Sequence, residues 1–386
     1  MALMTSLVAL SIDAMLPVMG DIARELDVAD MNDRQLVISA LFLGMVFGQF
    51  IYGPVSDAVG RKGPVAVGCV LFMVGSLVAA FADSFTTLLL GRIVQGIGAA
   101  GPRIVIVAMI RDQYQGPQMA QVMSLIMTVF ILVPALAPAL GQGIALWLGW
   151  RAIFAAFFLL ALIGCIWFWI QQAETLPAHK RRPLNGGHLV SAAAEVFRHP
   201  VARGYMLTAG LVFASFIGFL NSSQQVLAEQ YELGTQFPLY FAVLALALGA
   251  STLTNSRLVL RFSMARLCRI ALIVVLTMSL LYFAVAWTYG GSPPFASLMI
   301  YLLVLFYTVG ILFGNMNALA LEPLGHIAGL GSALIASVTT FMSMVGGGMI
   351  GASYDGTVLP MVGGFVVLSL AALVMVVVTE RARGSA

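Results

Sequence analysis

Apolar residues fall along this chain in long runs, separated by short polar stretches. A helix needs about 20 mostly apolar residues to cross a bilayer. By that measure the pattern predicts twelve spans: roughly 1–20, 35–56, 63–82, 86–110, 118–146, 150–170, 203–228, 236–256, 265–288, 295–320, 327–350 and 358–379. The longest gap, residues 171–202, follows the sixth span. It holds AHKRRPLNGGH and then LVSAAAEVFRHP, which reads as a short amphipathic surface helix. The expected organisation is an N-terminal six-helix bundle (1–170), a linker (171–202) and a C-terminal six-helix bundle (203–386), all α-helical and embedded in the membrane.

Composition agrees with the pattern. The 386 residues are 61% hydrophobic and 9% charged, whereas a soluble domain is nearer half apolar and about a quarter charged. Cys69, Cys165 and Cys268 lie in apolar runs without ligand spacing, and the four histidines form no HxxxH pair, so neither a metal site nor a metalloenzyme is expected. No GxxxxGK[ST] loop occurs, and no Ser/His/Asp or Cys/His arrangement is visible. An enzyme is therefore not expected, nor a bound cofactor or a nucleic-acid partner. Any energy must come from an ion gradient, or the solute runs downhill. The first run lacks a basic n-region and a cleavage site, so it is not a signal peptide. Its first basic residue, Arg24, lies past the span, which suggests that a short basic segment precedes it.

Charge sets the expected orientation. With both termini cytoplasmic, fourteen basic residues lie inside (Arg61, Lys62, Arg111, Lys180, Arg181, Arg182, Arg198, Arg203, Arg257, Arg261, Arg266, Arg269, Arg381, Arg383) and three outside (Arg24, Arg34, Arg151). The basic loop GPVSDAVGRKG after span two has a weak echo in NSRLVLRFSMARLCR after span eight. That fits two pseudo-symmetric halves, as in many secondary transporters.

Polar residues inside the membrane are costly and mark function by default. Asp13 stands in LSIDAMLPVM, about 18 Å along the first span at 1.5 Å per residue. Arg92, about 10 Å deep in the fourth span, either snorkels or faces a polar cavity with Gln95. Arg103, after Pro102, could be a gate residue, an interface pair or a snorkeller. In span five Pro134 and Pro138 precede Gly141 and Gly143, a pattern for a bend and close helix contact. Span seven carries Asn221, Ser222, Ser223, Gln224 and Gln225, equally consistent with helix–helix hydrogen bonds and with ligand contact. Asn315 and Asn317 in span ten point in different directions, and Asn317 is the candidate for the cavity. A subset of the 24 Phe and 21 Met suits a greasy, adaptable cavity.

Four stretches carry a family resemblance. The loop from Gly53 to Pro64 resembles the major facilitator superfamily signature G-x-L-x-D-R-x-G-R-K/R through Gly53, Asp57, Gly60, Arg61 and Lys62, with Val55 and Ala58 departing from it. GRIVQGIG resembles the R-x-x-Q-G-x-G motif of proton-coupled members, and the Pro/Gly run resembles the antiporter motif with its first glycine missing. DAMLP, PALAPALGQ, GWRAIF and ETLP look like the Bcr/CflA-type drug-efflux subfamily, with Met15 where Tyr is usual and Gln224–Gln225 where Ser-Pro is common. The resemblance implies a latch at Gly53, Asp57, Gly60, Arg61 and Lys62, a kink at Pro134, Pro138, Gly141 and Gly143, and proton transfer at Arg92. It implies a monomeric proton-coupled antiporter in the bacterial inner membrane, exporting hydrophobic or cationic drugs by alternating access. Asp13 would take a proton from outside and release it inside when a drug or Arg92 favours its charged form. The cavity residues expected are Asp13, Arg92, Gln95, Asn221, Gln224, Gln225 and Asn317. A proton-coupled uptake symporter for a metabolite is the alternative on this fold.

Overall fold

The computed structural model describes the backbone of residues 1–114, 116–181, 184 and 186–384. Arg182, counted above among the inner cations, lies outside the described residues. Among those described, the ordered structure is helical and contains no strand. Helices α1 (Ala2–Asp13) and α2 (Met19–Glu25) form the first span. The next five spans are α3 (Leu36–Val59), α4 (Lys62–Ala80), α5 (Phe85–Gln113), α6 (Gly116–Leu148) and α7 (Arg151–Gln171). The short α8 (Gly186–Arg198) precedes α9 (Pro200–Ser223), α10 (Phe237–Leu258), α11 (Met264–Thr288), α12 (Phe295–Leu321), α13 (Ala328–Ala352) and α14 (Leu359–Gly384). Each of the twelve expected spans thus has its helix. Large apolar side chains lie exposed along them, among them Phe47, Ile51, Val67, Leu281 and Val367. In water such a surface would be a liability; in a bilayer it is the lipid face.

Three expectations are corrected. The first span is not one helix. Pro17 has no N–H and would clash with the Asp13 carbonyl four residues back, so α1 stops at Asp13 and a 3₁₀ turn, Leu16–Val18, leads into α2. The segment expected as a loop from Gly53 to Pro64 is mostly helical, because α3 runs on to Val59 and α4 starts at Lys62. Gly60, at φ +107°, makes the turn between them. Finally, α9 does not end as an α-helix: Gln224–Gln230 continue as a π-helix, the widened turn often found at functional sites.

The chain forms two compact units, Met1–Ser191 with Ser332–Ser337, and Ala192–Gly331 with Val338–Ala386. In the first, glycines bring helices to backbone contact. A Cβ on Gly96 of α5 would lie 2.0 Å from the Leu41 carbonyl oxygen of α3, and one on Gly98 would lie 2.2 Å from the Phe72 nitrogen of α4. Without a strong hydrophobic drive between helices in lipid, such close approach supplies the packing. In the second unit, Phe213, Phe216 and Phe219 of α9 pack against Phe306 and Phe313 of α12. Asn255 of α10 and Asn315 of α12 exchange side-chain hydrogen bonds at 2.8 and 3.1 Å, so Asn315 is a helix–helix contact.

Candidate transport site

The break in α1 builds the first unit's site. At its end the turn tightens: Met15 N donates to Ile12 O, which leaves the Ser11 carbonyl without its helical donor. Asp13 is the last residue of the helix and is 5% exposed. Its carboxylate has no hydrogen bond or ion pair among the described residues.

Arg92 of α5 fills the vacancy on Ser11. Fully buried, it donates from Nη2 to Ser11 O (2.9 Å), from Nε to Val37 O of α3 (2.9 Å) and from Nη1 to Gln95 Oε1 (2.6 Å). Gln95 passes the network on, donating from Nε2 to Ser76 Oγ of α4 at 2.8 Å. The guanidinium carbon lies 5.8 Å from the Phe154 ring centre. A charge this deep is tolerated only when its donors are satisfied, and the planar fork of Arg satisfies them on three helices at once. No ion pair joins Arg92 to Asp13 among the described residues. Arg92 acts on Asp13 through the backbone, by holding the turn that carries it. The glycines of GRIVQGIG let the neighbouring helices come close enough for its reach.

The Pro/Gly run of α6 meets the same break. A Cβ on Gly141 would stand 2.0 Å from the Ala14 carbonyl oxygen. Pro134 and Pro138 each remove a backbone donor from the helix that carries it. Gly143 has open space where its Cβ would be, so it serves no close contact here. Asp13, Arg92 and Gly141 therefore converge on one turn, with Gln95 linking Arg92 to Ser76 of α4. Arg103 does not join them. It is half-buried on α5 and has no partner among the described residues.

In the second unit the polar run sits where α9 turns into its π segment. Asn221 is 1% exposed, and neither its amide nitrogen nor its amide oxygen has a partner among the described residues. Gln224 donates to Glu229 Oε1 at 3.1 Å, while its own Oε1 is unpartnered. Gln225 is buried, and its carbonyl accepts from the Tyr354 hydroxyl at 3.4 Å. Asn317 donates to Phe313 O of its own helix at 3.0 Å. Buried amides without partners are rare and call for an explanation.

Of the predicted latch residues, Asp57, Gly60, Arg61 and Lys62 meet at the α3–α4 turn. Arg61 donates to Asp57, to Ser56 Oγ (2.8 Å) and to Asp112 Oδ2 at the end of α5 (3.0 Å). Burial alone would lower the Arg61 pKa, but the Asp112 hydrogen bond and the charges of Asp57 and Asp112 outweigh it and raise it. Lys62 Nζ lies 4.5 Å from the Trp169 ring centre. Gly53 does not join them; it is half-buried inside α3.

The centre of this cluster is a residue that no latch motif marked. Glu174, noted only as part of ETLP, accepts from the backbone N–H groups of Arg61 (2.9 Å), Lys62 (3.1 Å), Thr175 (2.9 Å) and Leu176 (3.0 Å). It thus caps α4 from another segment. Burial would raise its pKa, but those four N–H groups together hold it below the usual value. Gly60 is required beside it, since a Cβ there would lie 2.6 Å from Glu174 Oε2. The acidic residue beyond the last apolar run of the half was the available signal. In the same way GWRAIF places Trp150 Nε1 on Glu25 (2.6 Å) and Arg151 on Glu25 and on Ala82 O (3.0 Å), tying α2 to α7.

Comparisons with known proteins agree with this architecture. The family model described as Major Facilitator Superfamily matches residues 1–347. An uncharacterized MFS-type transporter, YdgK, of Bacillus subtilis (strain 168) is 28% identical over 91% of this chain and 87% of its own. The bicyclomycin resistance protein homolog of Haemophilus influenzae is 28% identical over 96% of this chain and 94% of its own. Among solved structures, the human organic anion transporter MFSD10 (TETRAN) superposes with a TM-score of 0.74 at 17% identity, covering 97% of both chains. At that identity the likeness shows the fold alone.

Proposed function

We propose a drug exporter: the chain belongs to the major facilitator superfamily, and it is a multi-pass bacterial membrane transporter. Within that frame it exports small amphipathic compounds in exchange for protons, with both termini in the cytoplasm. The observation that carries the reading is Asp13, a buried carboxylate without a partner among the described residues, on a helix-ending turn whose preceding carbonyl is held by Arg92. A charge there is costly, so Asp13 takes a proton when water from the acidic side reaches it. It gives the proton up when a cationic or hydrogen-bonding substrate favours the carboxylate. Substrate and proton then exclude one another, which is the logic of exchange. Relatives named as bicyclomycin and multidrug resistance proteins support the substrate class.

Two further features fit. Within the second unit, Asn221 and Gln224 hold buried amide atoms without a partner among the described residues, and the phenylalanines of α9 and α12 suit a flat apolar body. The test uses purified chain in liposomes loaded with a fluorescent cationic dye. An imposed proton gradient, acid on the side that the dye leaves for, should drive dye movement and proton counterflow together. Dye movement insensitive to the gradient, or proton flow in the same direction as dye, would overturn antiport; the second would decide for the uptake symporter.

A further inference from the structure

The connection between α10 and α11 carries a cluster of charge with no carboxylate partner among the described residues. The chain makes one more helical turn after α10, with Arg261 N and Phe262 N both donating to Leu258 O at 3.0 and 2.9 Å. Ser263 then caps α11, accepting from Arg266 N at 3.4 Å. Arg257, Arg261 and Arg266 are exposed on this corner. None of the three has a carboxylate partner among the described residues, whereas neighbouring arginines do: Arg269 pairs with Glu380 at 3.3 Å and Arg383 with Glu322 at 2.8 Å. The first turn of α11 holds no acidic residue either.

Apolar side chains stand among these cations. Leu260 is 84% exposed and Phe262 40%, with Arg266 stacked 5.6 Å from the Phe262 ring centre. Leu253, seven residues before Leu260, is 71% exposed and continues the same apolar face down α10 toward the lipid-facing surface. A tight turn exposing leucine and phenylalanine between three unpaired arginines is a poor surface for water. It complements a bilayer edge, where acyl chains meet phosphates.

We propose that the α10–α11 corner binds anionic phospholipid headgroups, with Arg257, Arg261 and Arg266 on the phosphates and Leu260 and Phe262 in the upper acyl region. Basic residues beside a membrane surface attract anionic lipid, and each adds to the affinity. The positive-inside bias explains why cations stand at this end, but it needs neither the missing carboxylates nor the protruding apolar pair. The site is independent of which solute the chain carries, so it stands or falls apart from the export reading. It would anchor the hairpin at the headgroup layer while the rest of the unit moves.

Native mass spectrometry of the full chain tests this, with phosphatidylglycerol and phosphatidylethanolamine of identical acyl chains titrated in parallel. Wild type should retain phosphatidylglycerol at least tenfold more tightly. The triple variant Arg257→Gln, Arg261→Gln, Arg266→Gln should lose that preference, and the triple Lys variant should keep most of it. The control pair Arg111→Gln, Arg198→Gln should leave it unchanged. No preference in wild type overturns the proposal whether or not any variant folds. So does a preference that survives the triple Gln change, or one that the control pair abolishes equally.

Discussion

Arg92 Nη2 donates to the Ser11 carbonyl at 2.9 Å, and Ser11 stands two residues before Asp13. A cation on α5 thereby fixes the turn on α1 that bears the unpartnered carboxylate, without neutralising it. Replacing Arg92 by Ala strands the Ser11 and Val37 carbonyls and the Gln95 amide oxygen. Hydrogen bonds to a charged group are each worth roughly 1.5–3 kcal/mol. Proton-driven efflux should fall at least tenfold, with a lowered midpoint of thermal unfolding. Lysine, a single ammonium in place of a fork, should recover part of the rate. Equal, full activity in both variants would contradict the hub.

The two glycines of α6 should behave differently. Gly141→Ala places a methyl 2.0 Å from the Ala14 carbonyl oxygen, and overpacking of this kind costs about 1–3 kcal/mol. The variant should unfold at lower temperature and lose efflux, because the break beside Asp13 is displaced. Gly143→Ala enters open space and should match wild type in both assays. Similar losses in the two variants would show that the Ala14 contact is not what Gly141 is for.

Glu174 gives a pH dependence of known sign. Its pKa is held below the ordinary value by the N–H groups of Arg61, Lys62, Thr175 and Leu176. The stability it adds is therefore present above about pH 4.3, the ordinary glutamate value, and is lost as pH falls through the lower folded value. Glu174 is exposed, so solvent screening keeps the effect small. Differential scanning of wild type and Glu174→Gln should show the variant less stable at pH 7, with the gap closing as pH falls below the ordinary glutamate range. A gap of constant size would mean that the carboxylate's charge is not what caps α4.

Asn221 separates a structural role from a substrate role. Its amide is buried and unpartnered, so Asn221→Leu relieves a desolvation cost of about 1–3 kcal/mol. The variant should be as stable as wild type or more so, yet transport hydrogen-bonding substrates several-fold more slowly, with KM raised. A destabilised variant with unchanged KM would assign Asn221 to the fold.

The apolar runs made every span legible, because twenty apolar residues have few alternatives to crossing a bilayer. The polar residues within them stood out for the same reason. Their partners were not legible. Arg92 was open between a snorkeller and a cavity residue, yet it binds main-chain carbonyls, which no side-chain pattern advertises. The Ser11 carbonyl is free only because Pro17 ends α1 early. Glu174 acts through backbone N–H groups more than a hundred residues away in sequence. The π segment after Ser223 depends on packing that composition does not encode.

The most direct test is Asp13→Asn, which keeps the shape and removes the charge. In proteoliposomes the account predicts a folded variant that still binds dye, still equilibrates it down its own gradient, and no longer couples it to protons. Dye accumulation driven by a proton gradient at the wild-type rate in Asp13→Asn would contradict the assignment of Asp13 as the coupling residue.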